Sequence, residues 1–366
     1  MKVSFINRVR GKSLKVQTRQ SYLFNIAVMI FILLLAACNT NVPEEEETQS
    51  TAVIEVATST VIPTETSVPV PEPVLEKVVL SVPLEAQDDL YQEVLDFLLT
   101  WTAGEGYVLD VREAVAMTDI QEDWLGVVFL KAPANLNEIQ EANPDLNLLV
   151  LSEDSLTGNG NLSVIQLNRL HQTFVAGYVG VLAAQDWRLG GLLPWDDAET
   201  GTLLQEAFVN GAAYYCGRCA SVYMPVTLFP VISSLSSNSN SDDWLNAYTT
   251  LNQSYIVYVM YLSSEAGSDE VIRALSEQNV VMIGEEIPPE GVQEWWAATI
   301  SMDVMGTIQM VLPEAFSGNG GQTVIVPVQI NDVNEELLSV GRMRLIDDTI
   351  TLLTKGELLP LSPDYP

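Results

Sequence analysis

His171-Gln172-Thr173-Phe174-Val175-Ala176-Gly177-Tyr178-Val179-Gly180-Val181-Leu182-Ala183, with Trp187-Arg188-Leu189-Gly190-Gly191-Leu192 close behind it, is the stretch on which the architecture turns. The first run is apolar and free of proline, which predicts a buried helix from about Leu170 to Ala184. Ala176, Gly177 and Gly180 leave its surface low enough to lie close against a sheet or a second helix. The second run predicts a strand over Arg188 to Leu193.

The same alternation extends outward on both sides. Upstream, strands are expected at Val78–Pro83, Tyr107–Val111, Leu125–Leu130, Leu146–Leu151 and Leu162–Leu167, with a helix over Asp88–Thr102 whose Leu90, Val94, Leu95, Leu98 and Leu99 fall at helical spacing. Downstream come a helix Glu199–Ala213, a strand Ser221–Thr227, a polar loop Ser233–Asp243 and a helix Trp244–Leu251. Strand Tyr255–Tyr261, helix Ser268–Gln278, strand Val280–Gly284, segment Trp296–Ser301, helix Asp303–Phe316 and strand Thr323–Ile330 complete the series. Repeated βα units of this kind predict an α/β protein with mainly parallel sheets. The body is too long for one ordinary core. Two Rossmann-like lobes joined by hinge crossovers are therefore expected, 78–187 plus about 286–318 and 188–285 plus about 319–366.

Ahead of the body, Ile26 to Ala37 is an apolar run preceded by Lys2, Arg8, Arg10, Lys12, Lys15 and Arg19, with no acidic residue before Glu44. That is the layout of a secretory signal, and it is short for a membrane span. Leu35-Ala36-Ala37-Cys38 resembles a bacterial lipoprotein signal, which implies cleavage after residue 37 and lipidation of Cys38. Residues 38–76 are rich in Thr, Val, Pro and Glu and lack a helical period, the composition of an extended tether.

The chain carries 16 Lys and Arg against 48 Asp and Glu, a formal net charge of −32. Six of those basic residues lie in the signal, so the remainder is more acidic still. Nucleic acid, anionic lipid surfaces and phosphorylated ligands are repelled at long range, and a neutral or cationic ligand is favoured.

His171–Ala183 looks like the helix of the basic membrane protein family of ABC-importer substrate-binding lipoproteins, where a Phe-Leu-Ala-Gly-Tyr-like run precedes a Val-Gly strand. Trp187–Leu192 occupies that strand position, Phe208-Val209-Asn210-Gly211-Ala212 resembles the next helix, and Val281-Met282-Ile283-Gly284-Glu285-Glu286 sits where the family has an Ile-Gly-x-Asp turn. The resemblance implies a type I periplasmic-binding fold that takes up nucleosides or related small solutes between two lobes and delivers them to an ABC permease. Two positions depart from the family. Glu85-Ala86-Gln87-Asp88-Asp89 replaces its Gly- and Asp-containing first loop, and no lysine occurs between Lys131 and Lys355.

Open α/β sheets bind ligands at the carboxyl ends of their strands. Loops there offer Glu85, Asp88, Trp195, Asp196, Glu285 and Glu286 as ligand contacts: carboxylates accept hydrogen bonds from hydroxyls or pair with a cation, and an indole stacks on a base or covers an ammonium group. Pro194-Trp195-Asp196-Asp197 also reads as a turn before a helix, with Asp197 as its N-cap. Cys216-Gly217-Arg218-Cys219 lacks the further ligands of a zinc site, follows a helix rather than opening one as redox motifs do, and fits an exposed structural disulfide outside the cytoplasm. His171, the single histidine, lies inside the helix as a packed or surface side chain. No catalytic constellation, metal site or cofactor is implied. A cell-surface hydrolase of glycosides, with paired carboxyls across a cleft, and an envelope sensor or interaction protein keeping the binding fold remain the alternatives.

Overall fold

The computed structural model describes residues 75–84 and 89–361, Asp89 by its backbone alone. Cys38, Glu85 and Asp88 lie outside the described residues. In chain order the first elements are β1 (Lys77–Ser81), α1 (Asp89–Glu105), β2 (Val108–Arg112), β3 (Trp124–Phe129), α2 (Leu136–Ala142), β4 (Asn147–Ser152) and β5 (Leu162–Gln166). They are followed by α3 (Arg169–Ala183), β6 (Leu189–Pro194), α4 (Ala198–Cys216), β7 (Val231–Leu235), α5 (Ser241–Tyr255), β8 (Val259–Leu262), α6 (Asp269–Glu277) and β9 (Val281–Gly284). The last are β10 (Trp296–Met302), α7 (Val304–Glu314), β11 (Thr323–Ile325), β12 (Val328–Asn331) and α8 (Val340–Thr354).

The strands form two six-stranded sheets, ordered β11-β5-β4-β3-β1-β2 and β12-β10-β9-β8-β6-β7. Each ladder is parallel apart from β10 with β12. Side chains alternate between the faces of a strand, and both faces of each sheet are covered here. Val78, Leu80 and Leu149 enter one core while Val79, Leu148 and Val150 enter another. In the second sheet Leu189, Val259 and Ile283 face one core and Leu192, Met260 and Met282 its opposite. Burial on both faces is why the strands appear in the sequence as nearly unbroken apolar runs.

The α/β expectation with two mainly parallel sheets holds, and the boundaries between the halves move. Helix α3 was expected to close the first lobe, but its Phe174 and Val175 share a core with Leu189, Phe208 and Val259. Its buried Gln172 also donates through Nε2 to Ile300 O at 2.8 Å, so α3 belongs to the second sheet. Trp296–Met302, expected with the first lobe, is β10 of the second sheet. Within the expected 286–318 segment, α7 does join the first half, packing Ile308, Val311 and Leu312 on Val78 and Leu80. The expected strand Thr323–Ile330 divides: β11 completes the first sheet, and Pro327, which has no amide to give a ladder, precedes β12 in the second.

Ser221–Thr227 forms a loop, and the strand beside β6 is Val231–Leu235, whose last three residues are the expected start of the polar loop Ser233–Asp243. Its edge position explains the misreading, because half-exposed Ser233 and Ser234 break the apolar pattern that marks a central strand. The chain crosses between the sheets near Leu167, Met302 and Val326. These crossovers are tied together: the Val326 amide donates to Gln166 O at 3.0 Å, and the Asp303 amide donates to Pro327 O at 3.0 Å.

Helices α3 and α4 meet backbone to backbone. A Cβ at Gly177 would strike Phe208 O, one at Gly211 would strike Phe174 O, and one at Gly180 would lie 2.6 Å from Leu189 Cδ1.

Candidate functional site

The first sheet places Leu130, Lys131 and Ala132 beyond β3, and Ser152, Glu153 and Asp154 at the end of β4. With Leu151 and Leu167 they line a cavity of about 460 Å³. The Ser152 hydroxyl braces the rim, accepting from the Asp154 amide at 3.1 Å and donating to Asp154 O at 3.3 Å.

Two residues beyond Leu167, Arg169 opens α3 and carries the site into the second half. Asn168 caps that helix by accepting from the His171 amide at 3.1 Å. Arg169 Nη2 donates to Glu265 Oε1, beyond β8, at 2.8 Å. Glu285, directly after β9, accepts from the Tyr261 hydroxyl and, through Oε2, from the Ser264 amide at 3.0 Å. Asp196, after β6, accepts through Oδ1 from Ser236 Oγ at 3.0 Å and from Ser237 N and Oγ at 2.8 and 2.9 Å.

Charge organises this cluster around one cation. Burial works to lower the pKa of Arg169, but the charges of Glu285 and Glu265 outweigh it and the pKa rises. Burial works to raise Glu265, yet Arg169 and hydrogen bonding bring it below the usual carboxylate value. In Glu285 burial wins over Arg169 and Tyr261, so its pKa is raised, and beside it Tyr261 is pushed up by burial and by the Glu285 charge. Asp196 is held low, first by the Ser237 amide and also by the field of Arg169. Ser263 Oγ and Glu265 Oε2 are buried with no partner in good hydrogen-bond geometry, although the Ser263 hydroxyl is near enough to help keep Glu265 ionised. Such a cluster has acceptors to spare for a hydroxyl or amine and one guanidinium for an oxygen.

Because Glu285 is raised, the folded chain keeps a proton above pH 4.5 that the unfolded chain has released, and stability falls as pH rises through that window. Glu285→Gln is expected to remove this fall, so that urea unfolding of the variant is less pH-dependent on the neutral side. Parallel wild-type and variant profiles would show instead that Glu285 is ionised like an exposed glutamate.

Among the residues singled out from sequence, Asp196 and Glu285 come into the field of Arg169. Trp195 lies over the first turn of α4, with Gly201 leaving room for its indole. Asp197 caps α4, accepting from the Thr200 amide at 2.8 Å. Glu286 is exposed, and its carbonyl accepts from Thr299 Oγ1 at 3.5 Å. His171 is buried, with its pKa lowered by burial. Cys216 and Cys219 are disulfide-bonded at the end of α4, with Cys219 buried rather than exposed. Arg169, Tyr261, Ser263 and Glu265 were missed, although the scarcity of basic residues in the body singles out Arg169. Among the described residues no group of three or more His, Cys, Asp or Glu is placed to hold a metal ion.

Neither the known protein-family profiles nor the curated proteins match this sequence. Solved structures do. A transcriptional activator of the comK gene from Bacillus halodurans aligns with a TM-score of 0.54 at 13% identity, over 78% of this chain and 99% of that one. An ABC transporter solute-binding protein from Aeropyrum pernix K1 gives 0.53 at 11% identity, over 80% and 95%. Another from Conexibacter woesei DSM 14684 gives 0.50 at 12% identity, over 78% and 98%. The chain thus has the two-sheet fold of type I periplasmic-binding proteins, with its polar cluster at the carboxyl ends of strands of the second sheet.

Proposed function

We propose that this chain is a solute-binding protein, working outside the cytoplasm on a lipid anchor at Cys38, that holds a small neutral or cationic molecule between its halves and hands it to an ABC permease. The observation that carries this reading is the group Arg169, Glu265 and Glu285. It stands at the carboxyl ends of the second sheet, two residues along the chain from the cavity at the ends of the first. Spare acceptors on Glu265 and the Ser263 hydroxyl suit a ligand rich in hydroxyl or amine donors, and closure of the halves would desolvate those bonds and be the state a permease recognises. Two of the similar structures, both ABC transporter solute-binding proteins, support the same reading. Membership of the basic membrane protein family rests on the helix at 171–183 and its following strand. Among the described residues no helix is long and apolar enough to cross a membrane.

A thermal-shift screen of nucleosides, bases, amines and sugars tests the proposal. One chemical class should stabilise saturably, by about 2.7 kcal/mol at a hundred times its Kd. The absence of any saturable stabiliser would contradict a solute-binding role.

A further inference from the structure

A buried cation that the solute site does not use holds the loop 221–227. Arg188 is 1% exposed. Its Nε meets Asp186 Oδ2 at 3.1 Å, Nη1 donates to Tyr255 O at 2.6 Å and Ile256 O at 3.3 Å, and Nη2 donates to Tyr223 O at 2.7 Å and Pro225 O at 3.3 Å. Asp186 in turn accepts from the amides of Val222 and Tyr223 at 2.6 and 3.3 Å. Ser221 Oγ donates to Pro225 O at 2.9 Å and accepts from the Thr227 amide at 3.0 Å, and the Cys216–Cys219 disulfide stands at the base of the loop. Burying an ion pair is costly, and here the pair is spent on fixing a backbone.

The side chains this loop displays are apolar. Val222 is 74% exposed, Tyr223 72%, Met224 81% and Val226 62%. Ile256 and Tyr258, on the segment that Arg188 also grips, add to the same face. In a chain with 48 acidic residues, none lies between Glu206 and Asp242, and Arg218 is the sole charged residue of that interval. The face sits at the amino ends of the second sheet: the loop leads into β7, and the amides of Tyr258 and Val259, at the start of β8, donate to Arg188 O just before β6. Arg169, Glu265 and Glu285 are at the other end of those strands.

We infer that this loop is a membrane-contacting tip that inserts Val222, Tyr223, Met224 and Val226 into the interfacial zone of the bilayer; the inference rests on the membrane location proposed above. Lipid offers no hydrogen bonds to a backbone. The tip arrives with both of its first amides on Asp186, two of its carbonyls on Arg188, and a proline that has no amide to satisfy. Tyrosine beside aliphatic side chains is the composition of the interface. The segment that carries the tip brings no carboxylate between Glu206 and Asp242, and the Asp186 beside it is paired with Arg188 and the loop amides, which lets an otherwise strongly anionic body come close to lipid here. The 37 positions from Cys38 to Leu75 correspond to a maximum reach of roughly 120 Å, enough for an anchor at Cys38 to leave this face free to meet the bilayer.

The test uses the full chain reconstituted in phosphatidylcholine vesicles whose acyl chains are brominated. Tyr223→Trp places a reporter on the tip, and Ile287→Trp places one on an exposed residue after β9, each read as a difference over the seven native tryptophans. The tip reporter should lose most of its emission, as a side chain buried about 5–10 Å into the headgroup and acyl boundary would, while the reporter at 287 is unaffected. Adding Val222→Asp and Met224→Asp, both at exposed positions, should abolish the quenching at an unchanged Tm. Flotation of the double aspartate variant with vesicles reports the anchor separately. Flotation without quenching overturns the inference and leaves the anchor standing, quenching without flotation supports the tip and removes the anchor, and loss of both removes both. A dimer in solution that the double aspartate variant disperses, with no quenching, would overturn the inference in favour of contact with a second copy.

Discussion

Gly211→Ala is expected to destabilise the fold by about 3 kcal/mol, the upper end of ordinary overpacking. The added methyl would meet Phe174 O, a backbone atom of α3, and the reciprocal contact of Gly177 with Phe208 O leaves neither helix free to retreat alone. Moving α3 would also disturb Gln172, whose buried amide holds Ile300 O on β10. A side chain could turn aside from the methyl, but a helix carbonyl engaged in its own ladder cannot. The urea midpoint should drop with little change in the slope of the transition. A loss below about 0.5 kcal/mol, the level of ordinary surface substitutions, would mean the helices do not cross this closely.

Arg169→Ala carries the second large effect, because one side chain serves three carboxylates. Its removal leaves Glu265 without its ion pair and Glu285 and Asp196 without the nearest positive field. Arg169 and Glu265 keep 27% and 17% side-chain exposure, so the loss should fall between the values for surface and buried pairs, about 2 kcal/mol. The pH profile adds a signature. The depressed pKa of Glu265 gives stability that is present above pH 4.5 and lost as pH falls through its folded value, and the variant should lose most of that acid limb. Any solute that stabilises the wild type in the thermal-shift screen should fail to stabilise the variant. A variant that binds and titrates like the wild type would place the solute elsewhere.

The fold was legible where burial on two faces made strands continuously apolar, as at Val78–Leu80 and Leu148–Leu151, and where small residues had no other use, as at Gly177 and Gly180. It was hidden where tertiary position overrode local pattern. Edge strand β7 carries serines because half of it meets solvent, and the apolar stretch Ser221–Thr227, which looks like a strand, is held as a loop by Arg188 with its apolar side chains exposed. The division of Thr323–Ile330 between two sheets turns on Pro327 and the bonds among the crossovers, which are made by residues far apart in sequence. At the site, acidic residues after strands were visible as acceptors. Their organiser, Arg169, begins a helix that appeared to belong to the other half, so no local pattern connected it to Glu265, 96 positions away.

The proposed closure of the two halves on a solute is most directly tested by small-angle X-ray scattering of the full chain, free and saturated with the strongest stabiliser from the screen. The radius of gyration should shrink on saturation in the wild type and stay at its free value in Arg169→Ala. An unchanged radius in a wild-type sample shown to be saturated would contradict capture between moving halves.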